Sequence, residues 1–310
     1  MVKYLFILFI SLNALAEDFL FVEDQGKHLG KWTDFSSNSE FNVKRLINQL
    51  AKSPAGKELL RKAAKKASVQ GETLTDIIEV GESSITDTTL IRRFTPESPE
   101  HVAYESKSKV FLNKDLDDFD AILDLAHELT HYVFRTDFNP YTLNFKLKEF
   151  ISNTVEGEGG EVHAFMMECK VLNELFSTQI ASRYNCKKIY DVKTGALSFE
   201  KARQEFYKVG PFYADFKKVL THHSIHEHFP LLNNETPSFI SSAYRLPYPV
   251  AAYQEYEAVV KKVCENDLRR MNFLKTQAER SPASVGHYEE FLMSFRSRCD
   301  QGSTTTVVSK

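Results

Sequence analysis

Residues 116–134 carry the pattern that most constrains this chain. Apolar side chains recur at Leu116, Phe119, Ile122, Leu123, Ala126, Val133 and Phe134, the spacing of a helix with one buried stripe. Inside that stretch stands His127-Glu128-Leu129-Thr130-His131. Residues four apart lie one above the other on a helix face, so His127 and His131 can aim ring nitrogens at one metal ion, at the edge of the core. Glu128, beside the first of them, can reach a water in the metal's open position. Two His, a neighbouring carboxylate base and an activated water are the parts of a zinc hydrolase. Asp115, Asp117 and Asp118 crowd the first turn, where carboxylates favour the helix dipole. The competing reading is an ordinary amphipathic helix whose two His pair with polar groups of the core.

A tetrahedral catalytic zinc takes three ligands from protein and one from water, so a third ligand must come from elsewhere. Glu161 is the leading choice. It follows Glu156-Gly157-Glu158-Gly159-Gly160, at the start of or within a second helix that runs on through Met167, Val171, Leu172, Leu175 and Phe176. That helix begins either near Lys146 or only after the glycines, which would let the two helices approach closely. Glu158 and His163 compete with Glu161 for the role, and Glu156 fits less well. An acidic, solvent-facing helix start is the alternative for the whole cluster.

Upstream, Phe41 to Ala67 reads as two short helices broken at Ser53-Pro54. The second is basic through Lys57, Arg61, Lys62, Lys65 and Lys66, which a solvated helix face explains better than a polyanion patch. Thr88–Ile91, Val102–Tyr104 and Lys109–Asn113 have strand character. A strand directly before the motif helix offers an edge on which an extended peptide can pair above the metal, unless it is already paired on both sides.

The chain opens with Lys3, an apolar run from Tyr4 to Leu12, and Ala14-Leu15-Ala16 before Glu17. This has the form of a cleaved signal peptide over residues 1–16. The run is too short for a stable membrane anchor, and no later stretch is apolar enough to cross a bilayer. The expected product is exported, periplasmic or secreted. Loss of Lys3 takes the formal charge from −3 to −4, which does not favour nucleic acid as a partner. Residues 17–300 are read as one domain, with an N-terminal helical and strand part (17–113), the two motif helices (114–176) and a helical C-terminal part (177–300). Residues 301–310 are read as a disordered tail. The four cysteines, Cys169, Cys186, Cys264 and Cys299, suit two disulfides in an oxidising compartment, and the favoured pairs are Cys169–Cys186 and Cys264–Cys299.

In the C-terminal part, Phe199–Leu220, Tyr253–Gln277 and His287–Arg298 look helical. His222, His223, His226 and His228 form a local cluster that suits a polar loop better than a second metal site. Tyr244, Arg245 and Tyr248, in a proline-limited loop, are conceivable donors to an oxyanion, though packing alone also accounts for them.

The pattern resembles the gluzincin-type members of the zincin-like metallopeptidases: H-E-x-x-H on one helix, a Glu with Ala three residues later (Glu161, Ala164) on the next, and Val110-Phe111-Leu112-Asn113 as the bordering strand. The residues after His131 lack the Gly and third His of the metzincin pattern, and no Asp follows Glu161 at the thermolysin-like spacing, which leaves the subfamily open. The resemblance covers Val102 to Leu175. It implies an α+β, zincin-like fold, mainly helical with a small sheet beside the motif helix. It also implies a zinc peptidase acting on peptide or protein, with His127, His131 and Glu161 on zinc and Glu128 as general base. An exported binding or structural protein on the same scaffold, or a zinc amidase acting on cell-wall peptide, are the alternatives.

Overall fold

The computed structural model describes residues 30–299 apart from 137, 143–144, 177–183, 192–193 and 195. The expected signal peptide and the 301–310 tail lie outside the described residues.

Two helices form where the sequence places them. The Asn38 side chain caps α1 (Ser39–Leu50) by accepting the Phe41 N–H, and Ser53 caps α2 (Pro54–Val69), whose proline sits in the first turn where its missing N–H costs nothing. The basic face of α2 is put to structural use. Lys62 lies over the Phe134 ring, and Lys66 lies over the Tyr132 ring and donates to the Tyr132 carbonyl at 2.7 Å. Both cations therefore sit at the C-terminal end of the motif helix, where its dipole favours them.

A single helical turn, α3 (Leu74–Ile77), runs straight into β1 (Ile78–Gly81). Two longer strands follow, β2 (Ile85–Thr95) and β3 (Ser98–Asn113). The sheet is mixed, in the order β1-β3-β2. β3 pairs in parallel with β1 from Ile78↔Val110 to Gly81↔Asn113, and antiparallel with β2 from Ile85↔Phe111. The strands are longer than the sequence suggests, and of the two readings of the strand before the motif helix the internal one holds. Val102–Tyr104 and Lys109–Asn113 are one continuous strand, and Lys109–Asn113 is internal, not an edge. Both its sides are taken because the short β1, hidden in sequence behind a helical turn, covers the side away from β2. β1 and β2 are the two outer strands, and β2 is the one whose Thr86 bonds Glu128 of the motif helix.

α4 (Asp118–Phe134) carries the motif. It begins two residues later than expected because the Asp117 side chain accepts the Asp120 N–H at 2.8 Å and caps the helix. It packs against α1 and α2 on one side and against α6 and β3 on another. Its buried face, which includes Ala121, Leu125, Leu129 and Tyr132, is therefore wider than one stripe. Trp32, fully buried, donates its indole N–H to the Asn113 carbonyl at 2.8 Å and pins the turn between β3 and α4. The glycine run separates two helices, α5 (Leu147–Val155) and α6 (Glu161–Leu175), so of the two expected starts the one after the glycines holds.

The remaining helices are α7 (Tyr184–Lys188), α8 (Phe199–Phe206), α9 (Tyr213–His222), α10 (Tyr248–Arg280) and α11 (Val285–Cys299). The 199–220 segment stops at Phe206 and becomes helical again toward Tyr213, with Gly210 at φ 55° in the link. Both favoured disulfides are present. Cys169–Cys186 ties α6 to α7, and Cys264–Cys299 ties α10 to α11. Among the described residues no helix is long and apolar enough to cross a membrane. One hydrophobic core runs from Trp32 through the buried faces of α1, α2, α4 and α6 to Tyr253.

Candidate metal centre

α4 and α6 lie side by side, and that contact assembles the site. The Nε2 atoms of His127 and His131 stand 3.4 and 3.5 Å from the two oxygens of the Glu161 carboxylate. Each imidazole thus meets a different oxygen of the one carboxylate, which brings Glu161 to both motif histidines. The side chains of His131 and Glu161 are largely buried, and the His127 side chain is 16% exposed. A Glu128 oxygen lies within 4.8 Å of ligand nitrogens of both His, and the His127–Glu128–His131 group could hold a metal ion.

The outer ring nitrogens are also engaged. His131 Nδ1 is 2.7 Å from the Gly159 carbonyl, and His127 Nδ1 is 3.4 Å from Glu168. An acceptor at Nδ1 draws the proton there and leaves Nε2 free for a metal. The Arg135 guanidinium lies 2.9 Å from His131 Nδ1 and 3.4 Å from Glu161. One Nδ1 cannot donate to Gly159 and accept from Arg135 together. In the metal-binding tautomer Nδ1 donates to Gly159, and Arg135 is left with Glu161 and, through Nε, with the Gly159 carbonyl at 3.4 Å. The close approach depends on Gly159, which has φ +72°; a Cβ there would fall 2.2 Å from the Arg135 nitrogen.

The glycine run also sorts the other contenders for third ligand. His163 accepts the Gly159 N–H at Nδ1 and packs on Phe134. Glu158 lines a separate cavity of about 250 Å³ with Phe138, Phe145 and Phe150. Glu156 is bound to Arg203. The His222–His228 cluster forms no metal-holding group among the described residues.

Charge is concentrated at the centre. Burial alone would push Glu161 up, but the charges and hydrogen bonds of His131 and His127 outweigh it and hold the carboxyl well below its usual range. Burial would likewise push His127 down; its bonds to Glu161 and Glu168 and the charge of Glu128 hold it well above the ordinary imidazole value. Asp124, one turn before His127, is pushed up to about 6 by burial, against a hydrogen bond from Ser84, with Glu168 and Glu128 adding to the rise.

Four further residues join the site from outside the motif. Thr86 Oγ1, on β2, lies 2.8 Å from Oε2 of Glu128 and 2.8 Å from its main-chain carbonyl. Tyr248, at the start of α10, is brought to the carboxylates, and its hydroxyl is pushed well above its usual range by burial and by the charges of Glu161 and Glu128. Of the three expected oxyanion donors, Tyr248 is brought to the carboxylates; Tyr244 packs against the core, and Arg245 is exposed. Glu168 and Arg135 were legible only as spacings, two turns after Glu161 and one turn after His131. Thr86 left no such trace.

None of the protein-family models, curated proteins or solved structures compared with the chain matches it. The likeness to zincins therefore rests on the His127–Glu128–His131 cluster.

Proposed function

We propose that the protein is an exported, zinc-dependent metallopeptidase that hydrolyses peptide bonds, with His127, His131 and Glu161 holding the zinc. The observation that carries the reading is the 3.4 and 3.5 Å spacing between the Glu161 oxygens and the two Nε2 atoms, set beside a carboxylate base one residue from the first ligand. Zinc bound there would supply a Lewis acid for the scissile carbonyl and lower the pKa of the attacking water.

The chain's own residues do the rest. Glu128, largely buried, takes the proton from the water and hands it to the leaving amine. Glu168 and the Gly159 carbonyl orient the two imidazoles. Tyr248 donates to the carbonyl oxygen as negative charge develops there. β2, as the outer strand nearest Glu128, supplies the edge on which an extended peptide pairs; this replaces β3 in that role. The two disulfides support an oxidising, exported location, periplasmic or secreted.

The test is cleavage of a mixed peptide library by the purified disulfide-bonded protein beside its Glu128→Gln variant, with bound zinc measured in both. Wild-type cleavage, a loss of at least about 100-fold in the variant and zinc in both are expected. Full activity in zinc-loaded Glu128→Gln, or zinc in neither, overturns the reading. Zinc in both with no cleavage would shift it to a non-catalytic metal protein, or to an amidase if cell-wall peptide is cut.

A further inference from the structure

Glu128 has two possible fates beside a metal. Its oxygen lies within 4.8 Å of ligand nitrogens of both His127 and His131, so the same carboxylate that can serve as base can also swing in and become a ligand. A base that ligates the metal is lost to catalysis. Something must hold it off.

Thr86 is placed to do so. Its hydroxyl reaches Oε2 of Glu128 at 2.8 Å from β2, a strand 42 residues away in sequence. The hydroxyl has one proton and two acceptors within reach, the Glu128 carboxylate and the Glu128 main-chain carbonyl. A hydrogen bond to a charged acceptor is roughly twice as strong as one to a neutral acceptor, so the carboxylate takes it. The hydroxyl cannot drift: threonine is stiff at χ1, and the residue is paired in the ladder through Thr86↔Val110 and buried. With one oxygen so tied, Glu128 cannot turn that oxygen onto a metal without giving up the bond.

We propose that Thr86 is a positioning residue that keeps Glu128 acting as a base and out of the metal's ligand set. The inference rests on the metallopeptidase reading above. It adds a requirement on the sheet: the outer strand that borders the cleft also sets the position of the base.

The test uses Thr86→Val, which keeps the shape and removes the donor, and Thr86→Ser, which keeps the donor. Each is loaded with zinc for kinetics and with cobalt(II) for visible absorption, which is stronger for four-coordinate than for five- or six-coordinate cobalt. Thr86→Val should keep its metal, lose about 100-fold in kcat with KM within about twofold of wild type, and show weaker cobalt absorption as Glu128 joins the ligands. Thr86→Ser should match wild type in all three. Wild-type kcat and spectrum in Thr86→Val would overturn the proposal. So would a Thr86→Ser variant as impaired as Thr86→Val with a lowered melting temperature, which would make the role one of packing. If the wild type binds metal but cleaves nothing, the peptidase reading fails and the cobalt spectra alone decide this one. If the wild type binds neither metal, both fall together.

Discussion

Glu168 stands 3.4 Å from Nδ1 of His127, on the side of the ring that faces away from Glu161. A carboxylate there fixes the tautomer and the tilt of a metal-binding imidazole, and such outer partners typically matter by 10–100-fold in metal affinity. Glu168→Gln should therefore raise the zinc dissociation constant by about 10–100-fold in chelator competition. Glu161→Gln, which removes a ligand, should cost more. Equal zinc affinity in Glu168→Gln and wild type would show that His127 is oriented by its own helix alone.

Gly159 makes a separate demand. Its φ of +72° and the 2.2 Å that a Cβ would leave to the Arg135 nitrogen both forbid a side chain, and the obstruction is backbone that cannot turn aside. Left-handed geometry costs a non-glycine residue about 1–2 kcal/mol, and overpacking adds about 1–3 kcal/mol. Gly159→Ala should lose about 3 kcal/mol in urea unfolding and weaken metal binding, because the same carbonyl holds His131. Gly71, with φ +75° and open space around its Cβ position, is the control: Gly71→Ala should cost only about 1–2 kcal/mol. Similar losses at the two glycines would mean that the 159 loop yields.

The carboxylates around His127 carry a pH signature. Burial, with Glu168 and Glu128 adding to it, raises Asp124 to about 6 in the folded chain. A raised folded-state pKa means that the native state binds the proton more tightly. Its contribution is fully present below the unfolded value near pH 4 and is lost as pH rises through about 6. In metal-free protein, Asp124→Asn should thus be more stable than wild type at pH 7.5 by up to about 3 kcal/mol, and the gap should close toward pH 4. A gap of the same size at both pH values, or wild type the more stable at pH 7.5, would show that Asp124 is not held in a charge-averse setting.

The motif helix and its histidine-bearing side were readable because the relevant geometry is local. Four residues of helix bring His127 over His131 whatever the rest of the fold does. Glu161 was readable for a weaker reason: a glycine run before a helix lets two helices touch. Thr86 was not, since it reaches the centre from β2, distant in sequence; Tyr248 was readable only as one of three conceivable donors, because nothing local says which residue of the loop before α10 turns inward. The full extent of the strands was hidden for a different cause. Residues 98–107 of β3 are mostly solvent-exposed or half-buried, so no regular apolar alternation joined Val102–Tyr104 to Lys109–Asn113. β1, only four residues long and continuous with a helical turn, gave no period to detect. The cysteine pairs were legible because each joins elements close in sequence, 17 and 35 residues apart.

The far end of the β2–β3 hairpin is fastened by a buried charge cluster. Asp267 on α10, 1% exposed, accepts from Arg92 of β2 at 2.5 Å and from Arg298 of α11 at 2.6 Å. Arg92 also stacks over Tyr141 at 4.2 Å. Removing one member of such a group leaves buried charge uncompensated, at a cost of about 3–5 kcal/mol, whereas replacing all members with apolar residues of similar volume is often neutral or stabilising. Here Asp267 serves two guanidiniums, whose remaining buried nitrogens Arg92 Nε, Arg92 Nη2 and Arg298 Nε lack hydrogen-bond partners among the described residues, so the desolvation penalty is only partly offset even in the wild type. Asp267→Asn should accordingly lower unfolding stability by about 3–5 kcal/mol. The triple change Arg92→Met, Asp267→Leu, Arg298→Met should recover most of that loss. A small effect of Asp267→Asn, below about 1 kcal/mol, would place water within reach of both arginines and reduce the cluster to a surface ion pair. Recovery by the triple change would separate the fastening of the hairpin, which apolar contact can supply, from any need for charge at that end of β2.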